Sequence, residues 1–314
     1  MRRLSFCALA GWLVLGSASP GVCEPDVAAS PATSDPAAPS ASDPWTHHYF
    51  TTSDGVKLHY VEQGSGTPVI LIHGAGGSAV GNWFNNGIAA RLVATNRVVG
   101  IDMRGHGLSE MGDLSKMADD VLELMDREGI AKAHIGGYSM GGGITLRLMA
   151  SHPERFLTAH FGGSGIPEVD EQLRDKIPAD KTGEAPMEAK ARALYQSIQT
   201  ARASGRGEEV GNNAQALRER FAQARAGGES GASLRAAFQR PEIDLRTIDF
   251  PVLAVNGDYD RPYAKTHRMW RELASFTNVV LEGHGHLSAV MAGITPPEYA
   301  EALRKFVVEN DPGR

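Results

Sequence analysis

Cysteine is almost absent from this chain of 314 residues, which contains only Cys7 and Cys23. Both lie in the N-terminal segment, and no cysteine follows Cys23. A disulfide needs a pair of cysteines in the folded part of a protein, and cysteine-ligated zinc sites need several. The sequence after Cys23 therefore excludes an internal disulfide and a cysteine-based metal site.

An excess of positive charge is also missing. The formal net charge is −6, and no run of lysine or arginine is longer than two residues. Proteins that bind nucleic acids or other polyanions present a basic patch or stripe, because the phosphates attract lysine and arginine. We therefore expect a small-molecule substrate and no nucleic-acid partner.

Long hydrophobic runs are missing beyond the first 15 residues. The segment Leu4–Leu15 is largely apolar but too short to span a bilayer. Arg2 and Arg3 precede it and small residues follow it, which is the pattern of a secretory signal peptide. We predict a signal peptide over residues 1–23, and hence a periplasmic or secreted protein with no stable membrane insertion after cleavage.

The cleavage point stays open, with candidates near Ala18, Cys23 and Ala29. Lipid attachment at Cys23 is the less favoured alternative, because the preceding Pro-Gly-Val is a poor lipoprotein pattern. Residues 24–44 are dominated by Ala, Ser, Pro and Asp and have almost nothing to bury. We predict a disordered tether there.

Short apolar segments alternate with helical ones from Trp45 onward. The segments Val69–Ile72, Val98–Ile101 and Val252–Val255 are continuously apolar, as strands covered on both faces are. Between strands, Met117–Arg127 carries its apolar residues at helical spacing. This alternation predicts an α/β fold with a mostly parallel central sheet flanked by helices, and with active residues on loops at the carboxyl ends of the strands.

Residues 167–247 interrupt the alternation. They are rich in Ala, Arg and Glu, with scattered apolar residues, and they resemble a helical insertion between two strands. We predict that this insertion caps the loop ends of the sheet; a surface appendage without contact to the site is the alternative. The α/β core would then comprise residues 45–166 and 248–314.

A nucleophile motif lies where the apolar segment Ala133–Gly137 gives way to the helical segment Ile144–Met149. Residues Gly137–Gly141 spell G-x-S-x-G, with Ser139 at the centre. A serine on a sharp strand-to-helix turn has its hydroxyl clear of the backbone, and the flanking glycines allow close packing. The motif alone is weak in a chain with 36 glycines, so its surroundings decide.

A glycine-rich turn, His73–Ser78, follows the predicted strand Val69–Ile72 directly. Such a turn can aim a backbone N–H at the space in front of Ser139. Acyl transfer needs two donors for its oxyanion, and the N–H groups of Ala75 and Met140 are the candidates. A phosphate-binding loop is the rival interpretation, but no Gly-Lys-Ser/Thr follows. We interpret His73 as a residue that braces the turn.

A serine nucleophile needs a histidine base, and the base needs a carboxylate to orient it. Two later loops offer both. Asp258 and Asp260 follow the predicted strand that ends at Asn256, and His284 and His286 follow the one that ends at Leu281.

The ordered motifs make the chain resemble the capped serine hydrolases of the α/β-hydrolase family over roughly residues 56–308. The motifs are the His73-Gly74 turn, D-x-R-G-x-G-x-S at Asp102–Ser109, the elbow Gly137–Gly142, G-x-x-D at Gly257–Asp260, and G-x-G-H-L at Gly283–Leu287. The resemblance implies that Ser139 is the nucleophile, Asp260 the orienting acid and His286 the base. It also implies that Ala75 and Met140 supply the oxyanion hole, and it favours Asp260 over Asp258 and His286 over His284.

The resemblance implies a serine hydrolase that cleaves a small carboxylic ester or lactone through an acyl-enzyme, with no metal or organic cofactor. The signal-peptide pattern implies that this enzyme is exported. Relatives that open epoxides or cleave carbon–halogen bonds carry aspartate at the elbow, so Ser139 argues against those reactions. A carbon–carbon bond hydrolase is an alternative, although such relatives tend to have asparagine where Tyr138 stands. A perhydrolase or haloperoxidase, and a non-catalytic ligand-binding protein, are the remaining alternatives. The oligomeric state stays open.

Overall fold

The computed structural model describes residues 43–203 and 239–313. The predicted signal peptide, most of the predicted tether and residues 204–238 of the insertion lie outside the described residues. No helix of the described residues has the length and the apolar character that a membrane span needs.

An eight-stranded sheet forms the centre of the described core, in the order β1-β2-β4-β3-β5-β6-β7-β8. The strands β1 and β2 pair antiparallel, as do β2 and β4, and every other pair is parallel. The strands are β1 Thr46–Thr51, β2 Lys57–Gln63, β3 Thr67–Ile72, β4 Asn96–Ile101, β5 Ala133–Tyr138, β6 Phe156–Gly162, β7 Val252–Gly257 and β8 Phe276–Leu281. The predicted α/β fold with a mostly parallel sheet is confirmed.

Helices cover both faces of the sheet. The α-helices of the described residues are α1 Met117–Arg127, α2 Met140–Ser151, α3 Glu171–Arg174, α4 Glu188–Ala203, α5 Pro262–Glu272 and α6 Pro297–Glu309. One hydrophobic cluster joins the sheet to α1 and α2, and a second joins its other face to α6 and to residues 79–92. This two-sided cover explains why the central strands are continuously apolar.

Three of these elements carry no strong pattern in the sequence. The edge strand β1 has the sequence THHYFT, in which only Phe50 is fully buried, so it carries no strong apolar signal. The strand β6 is buried along nearly all of its length, yet it contains Thr158 and His160, which interrupt its apolar run. Helix α5 begins at Pro262, a residue suited to the first helical turn, but its sequence is mostly polar.

The insertion, residues 167–247, connects the neighbouring strands β6 and β7. Its described part contains α3 and α4 and ends in a short 3₁₀ turn at Leu245–Thr247. Because β6 and β7 end at the same edge of the sheet, the insertion begins beside the loops that carry the predicted acid and base.

Candidate active site

The nucleophile elbow lies between β5 and α2. Ser139 has φ 52° and ψ −105°, a backbone conformation that residues with a Cβ rarely adopt. The residues two positions before and after Ser139 must be glycine, because a side chain would not fit. A Cβ on Gly137 would overlap the backbone of Gly141, and one on Gly141 would overlap the carbonyl of Ile72. Close packing of β3, β5 and α2 therefore forces the sharp turn that exposes the Ser139 hydroxyl.

The predicted oxyanion donors lie on two sides of Ser139. Met140 is the first residue of α2, so its N–H has no partner within the helix. This N–H lies at the positive end of the helix dipole, which favours negative charge. On the other side, a Cβ added to Gly74 would lie 3.6 Å from the Cβ of Ser139, which places the turn before Ala75 against the nucleophile. The donor roles of Ala75 and Met140 stay predictions.

Side chains hold the glycine-rich turn in place. The Gly74 N–H donates to Oδ1 of Asn82 at 2.8 Å, and the Gly77 N–H donates to the Gly74 carbonyl at 3.0 Å. His73 is fully buried: its Nδ1 donates to the Gly74 carbonyl at 2.7 Å, and its Nε2 accepts from the Met103 N–H at 3.0 Å. His73 therefore braces backbone, as interpreted from the sequence.

The loops after β5, β7 and β8 bring Ser139, Asp260 and His286 together. His286 Nδ1 donates to Oδ2 of Asp260 at 2.8 Å, and its Nε2 lies 2.9 Å from Oγ of Ser139. The His286 side chain is 29% exposed and that of Asp260 13%. The imidazole therefore lies between a nearly buried carboxylate and an accessible hydroxyl, which is the geometry that a serine nucleophile needs.

The alternative acid and base lie nearby but make other contacts. His284 Nδ1 lies 3.2 Å from the Ser288 carbonyl, and the His284 carbonyl accepts from the Tyr259 N–H at 3.1 Å. Asp258 is buried, and its Oδ2 accepts from Nζ of Lys181 in the insertion at 2.6 Å. Both residues brace loops, and neither contacts Ser139 in the described structure.

A lysine that the sequence interpretation missed contacts the predicted acid. Lys265, on α5, donates to the Gly163 carbonyl at 3.0 Å and forms an ion pair with Oδ1 of Asp260 at 2.6 Å. Burial alone would raise the pKa of the Asp260 carboxyl, but the attraction of His286 and Lys265 outweighs burial and holds that pKa below its usual value. In the sequence, the spacing of five residues between Asp260 and Lys265 is the feature that could have indicated this contact.

Tyr138, beside the nucleophile, is a second residue whose contact the sequence did not reveal. Its ring is buried, and its hydroxyl donates to the backbone carbonyl of His286. Burial, and then the negative charge of Asp260, raise the pKa of Tyr138 well above its usual value, so the phenol keeps the proton that it donates. The elbow therefore holds both Ser139 and the loop of the predicted base.

Helix α4 of the insertion lies against the same loops. The amide of Gln199 lies 3.3 Å from the Gly76 carbonyl, and a Cβ on Gly76 would lie 2.5 Å from the Tyr195 hydroxyl. A small apolar cluster joins α4 to the segment after His286; its members are Ala191, Met291 and Ile294, with Met187, Leu194, Tyr195, Ile198 and Leu287 packed around them. The described insertion thus contacts the turn with the proposed oxyanion donor as well as the histidine loop.

Metal-binding groups do not gather in the part of the chain that the structure describes. Among residues 43–203 and 239–313, no group of three or more His, Cys, Asp and Glu side chains could hold a metal ion. The arrangement described above needs none, because the hydroxyl, the imidazole and the carboxylate suffice for general-base activation of a nucleophile.

The chain belongs to the α/β-hydrolase fold family, whose model matches residues 67–290. That match includes every motif residue from the glycine-rich turn to the histidine loop, and it spans the insertion.

Named relatives of this chain carry several activities. It is 42% identical over 107 residues to a dihydrolipoyllysine-residue acetyltransferase component of an acetoin cleaving system from Pseudomonas putida, covering 32% of this chain and 28% of that one. It is 36% identical over 146 residues to a 2-hydroxy-6-oxo-6-(2'-aminophenyl)hexa-2,4-dienoic acid hydrolase from Metapseudomonas resinovorans, covering 43% and 49%. These matches span less than half the length of either relative. A non-heme chloroperoxidase from Kitasatospora aureofaciens is 28% identical over 267 residues, covering 77% and 93%.

Solved structures share the fold over most of the chain. A serine hydrolase from the polyaromatic-hydrocarbon-degrading bacterium Cycloclasticus zankles superposes with a TM-score of 0.61 at 20% identity, covering 85% of this chain and 99% of that one. An enzyme that degrades N-acyl homoserine lactones superposes with a TM-score of 0.60 at 20% identity, covering 83% and 100%. At these identities the likeness shows the fold alone.

Proposed function

We propose that the protein is a serine hydrolase that cleaves a small carboxylic ester or lactone. Ser139 Oγ attacks the carbonyl carbon while His286 Nε2 takes its proton, and the N–H groups of Ala75 and Met140 stabilise the oxyanion. Collapse of the tetrahedral intermediate expels the alcohol, which receives the proton from His286. Water then attacks the acyl-enzyme while His286 takes its proton. The second tetrahedral intermediate collapses, which releases the carboxylic acid and returns the proton from His286 to Ser139 Oγ. Asp260 holds the imidazole in the required tautomer throughout.

The observation that carries this proposal is the position of His286 between two partners, 2.8 Å from Asp260 and 2.9 Å from Ser139. The strained φ of Ser139 supports it, because such a conformation persists where the surrounding structure enforces it and is concentrated at active sites. The serine at the elbow favours acyl transfer over the reactions of relatives with aspartate there. A hydrolase-fold protein that only binds a ligand would not need all three groups in contact.

A carbon–carbon bond hydrolase is the second candidate, and the likeness to the Metapseudomonas resinovorans hydrolase favours it. The same serine and histidine would act on a ketone carbonyl, and a carbanion would leave instead of an alcohol. Against this, Tyr138 stands where such relatives tend to have asparagine, and its hydroxyl is committed to the His286 carbonyl. We therefore rank ester or lactone cleavage first.

A substrate panel tests the proposal. Purified protein is assayed with p-nitrophenyl acetate, butyrate and octanoate, with aliphatic lactones, and with a 2-hydroxy-6-oxo-dienoate as the carbon–carbon substrate. We expect cleavage of esters or lactones and labelling of Ser139 by a fluorophosphonate. Cleavage of the dienoate alone would establish the second candidate. Ester cleavage by Ser139→Ala at the parental rate would contradict both.

We also propose that the protein is exported, since Arg2 and Arg3 followed by Leu4–Leu15 form a signal-peptide pattern. Expression of the full chain in a Gram-negative host, followed by fractionation and N-terminal sequencing, tests this. We expect the mature chain in the periplasm or medium, with its N-terminus between residues 19 and 30. An intact Met1 on cytoplasmic protein would contradict export.

A further inference from the structure

Glu188 is a buried carboxylate in an unexpected place. It is the first residue of α4, within the insertion, and only 3% of it is exposed. Burying a carboxylate costs free energy unless its oxygens accept hydrogen bonds. The donors around Glu188 therefore indicate its role.

Two consecutive backbone N–H groups of the histidine loop donate to this carboxylate. The Leu287 N–H donates to Oε1 at 2.8 Å, and the Ser288 N–H donates to Oε2 at 3.0 Å. These are the two residues that follow His286. Hydrogen bonds to an ionised acceptor are about twice as strong as those between neutral groups. Glu188 therefore holds the backbone directly after His286 with both of its oxygens.

Gly285, the residue before His286, provides a second and independent sign of this contact. A Cβ on Gly285 would lie 2.5 Å from Oε2 of Glu188, and its three nearest neighbours are all atoms of the Glu188 side chain. The φ of Gly285 lies outside the left-handed region, so its backbone does not need glycine. Glycine occupies this position because Glu188 occupies the space that a methyl group would fill.

The histidine loop is thus held from two sides. On the core side, the Tyr138 hydroxyl donates to the His286 carbonyl, and on the insertion side Glu188 accepts from the two following N–H groups. Between these contacts the imidazole must keep its Nε2 within 2.9 Å of Ser139. A shift of about 1 Å in such a contact lowers a rate by roughly 100-fold.

We propose that Glu188 is a positioning residue for His286, through which the insertion sets the geometry of the proposed base. This inference rests on the proposed function of Ser139 and His286. A purely structural role, in which Glu188 only docks α4 on the core, makes a different prediction: the melting temperature would fall, but the turnover of the folded enzyme would not.

Glu188→Gln is the main test, because glutamine keeps the size but replaces one acceptor oxygen with an NH₂ that faces an N–H donor. We expect kcat for p-nitrophenyl butyrate to fall roughly 10- to 100-fold with KM within about twofold, and fluorophosphonate labelling of Ser139 to slow by a similar factor. Hydrogen–deuterium exchange of the peptide 283–290 should become faster. The melting transition confirms that each variant is folded.

Glu184→Gln is the matched control, because Glu184 is an exposed residue of the same insertion that pairs with Arg192 at 2.9 Å. It should leave kcat, labelling and exchange at parental values. If Glu188→Gln also left kcat and exchange unchanged, the proposal would be overturned. A rise in KM at constant kcat would overturn it as well, since that result indicates a contact with substrate.

A double-mutant cycle keeps the test decisive if Glu188→Gln folds poorly. Gly285→Ala should lower kcat in the parent, because the new methyl displaces the carboxylate, but it should cost little further in Glu188→Ala, where that space is empty. Equal costs in both backgrounds would contradict the proposal.

Hydrogen–deuterium exchange distinguishes failure of this proposal from failure of the proposed function. It needs no turnover, so it reports the Glu188 contact even if no ester is cleaved. Failure of the proposed function would appear separately, as an active Ser139→Ala.

Discussion

The core and the insertion contribute different kinds of groups to the same site. The core supplies every side chain proposed to react, and each one lies in the loop or turn after a parallel strand: Ser139 after β5, Asp260 after β7 and His286 after β8. The described insertion supplies contacts to the loops that carry them, from Glu188 to the backbone after His286 and from Gln199 to the Gly76 carbonyl. The atoms proposed to react and the contacts proposed to position them thus come from separate parts of the chain.

Two lysine–aspartate pairs show the same division within one loop. Lys265 of the core pairs with Asp260, and Lys181 of the insertion pairs with Asp258, each at 2.6 Å. The Lys181 side chain is 53% exposed, whereas that of Lys265 is 20% exposed. Water screens the more exposed Lys181–Asp258 pair. The less exposed Lys265–Asp260 pair is screened less, and it is the pair that contains the acid in contact with His286.

The largest effects are expected from the core groups that are proposed to react. Ser139→Ala and His286→Ala should each lower kcat by roughly 10⁴-fold or more, and the double variant should be scarcely worse, because nucleophile and base act as one unit. His284→Ala, in the same loop, should cost about tenfold or less. Steady-state kinetics on folded variants check this. A dead His284→Ala beside an active His286→Ala would reverse the assignment of the base.

The next effect concerns the acid. Asp260→Asn should lower kcat by up to about 10⁴-fold, since an amide favours the wrong imidazole tautomer. Asp258→Asn, two residues earlier, should lower kcat only a few-fold, because Asp258 contacts Lys181 and not His286. Kinetics of the two isosteric variants side by side measure the contrast, and equal losses would mean that either carboxylate can orient the base.

Lys265→Met sharpens the comparison through pH. The pKa of Asp260 lies below its usual value, so the ionised form is favoured and its contribution to stability and to orientation is lost as pH falls through that pKa. Without the Lys265 cation the pKa of Asp260 rises, so the fall in melting temperature on acidification should begin at a higher pH. Lys181→Met is the control and should leave that onset in place. Melting curves measured from neutral to acidic pH decide for each variant.

The smallest of these effects is expected at Tyr138. Tyr138→Phe keeps the ring and removes the hydroxyl that donates to the His286 carbonyl. We expect kcat to fall about tenfold and the free energy of unfolding to drop by about 1 kcal/mol, the worth of one hydrogen bond. Tyr263→Phe, at a half-exposed tyrosine of α5, is the control. A larger loss than in Glu188→Gln would mean that the core holds the histidine loop more firmly than the insertion does.

The sequence predicted what depends on local pattern. The continuous apolar run at β3 identified a buried strand, and the ordered motifs placed Ser139, Asp260 and His286 on successive loop ends, where the structure brings them into contact. Local spacing works here because a parallel sheet aligns the carboxyl ends of its strands.

Contacts between distant residues were not predictable in this way. Tyr138 reaches the His286 carbonyl across 148 positions, and Glu188 reaches the Leu287 N–H across 99. The His286 carbonyl and the Leu287 N–H are backbone groups, which every residue type carries, so no sequence pattern identifies them. Lys265 is only five positions from Asp260, yet its role depends on where α5 turns back over the loop. The motif G-x-G-H-L includes Gly285, but it does not reveal that the Glu188 side chain is what requires glycine there.

The conformation of Ser139 has a consequence for stability. Its φ of 52° costs of order 1–3 kcal/mol for a residue with a side chain, a cost that glycine escapes. Ser139→Gly should therefore unfold at a higher temperature than Ser139→Ala, although neither has a nucleophile. The difference between the two melting temperatures would measure the strain at Ser139, and it can be measured before any substrate is known.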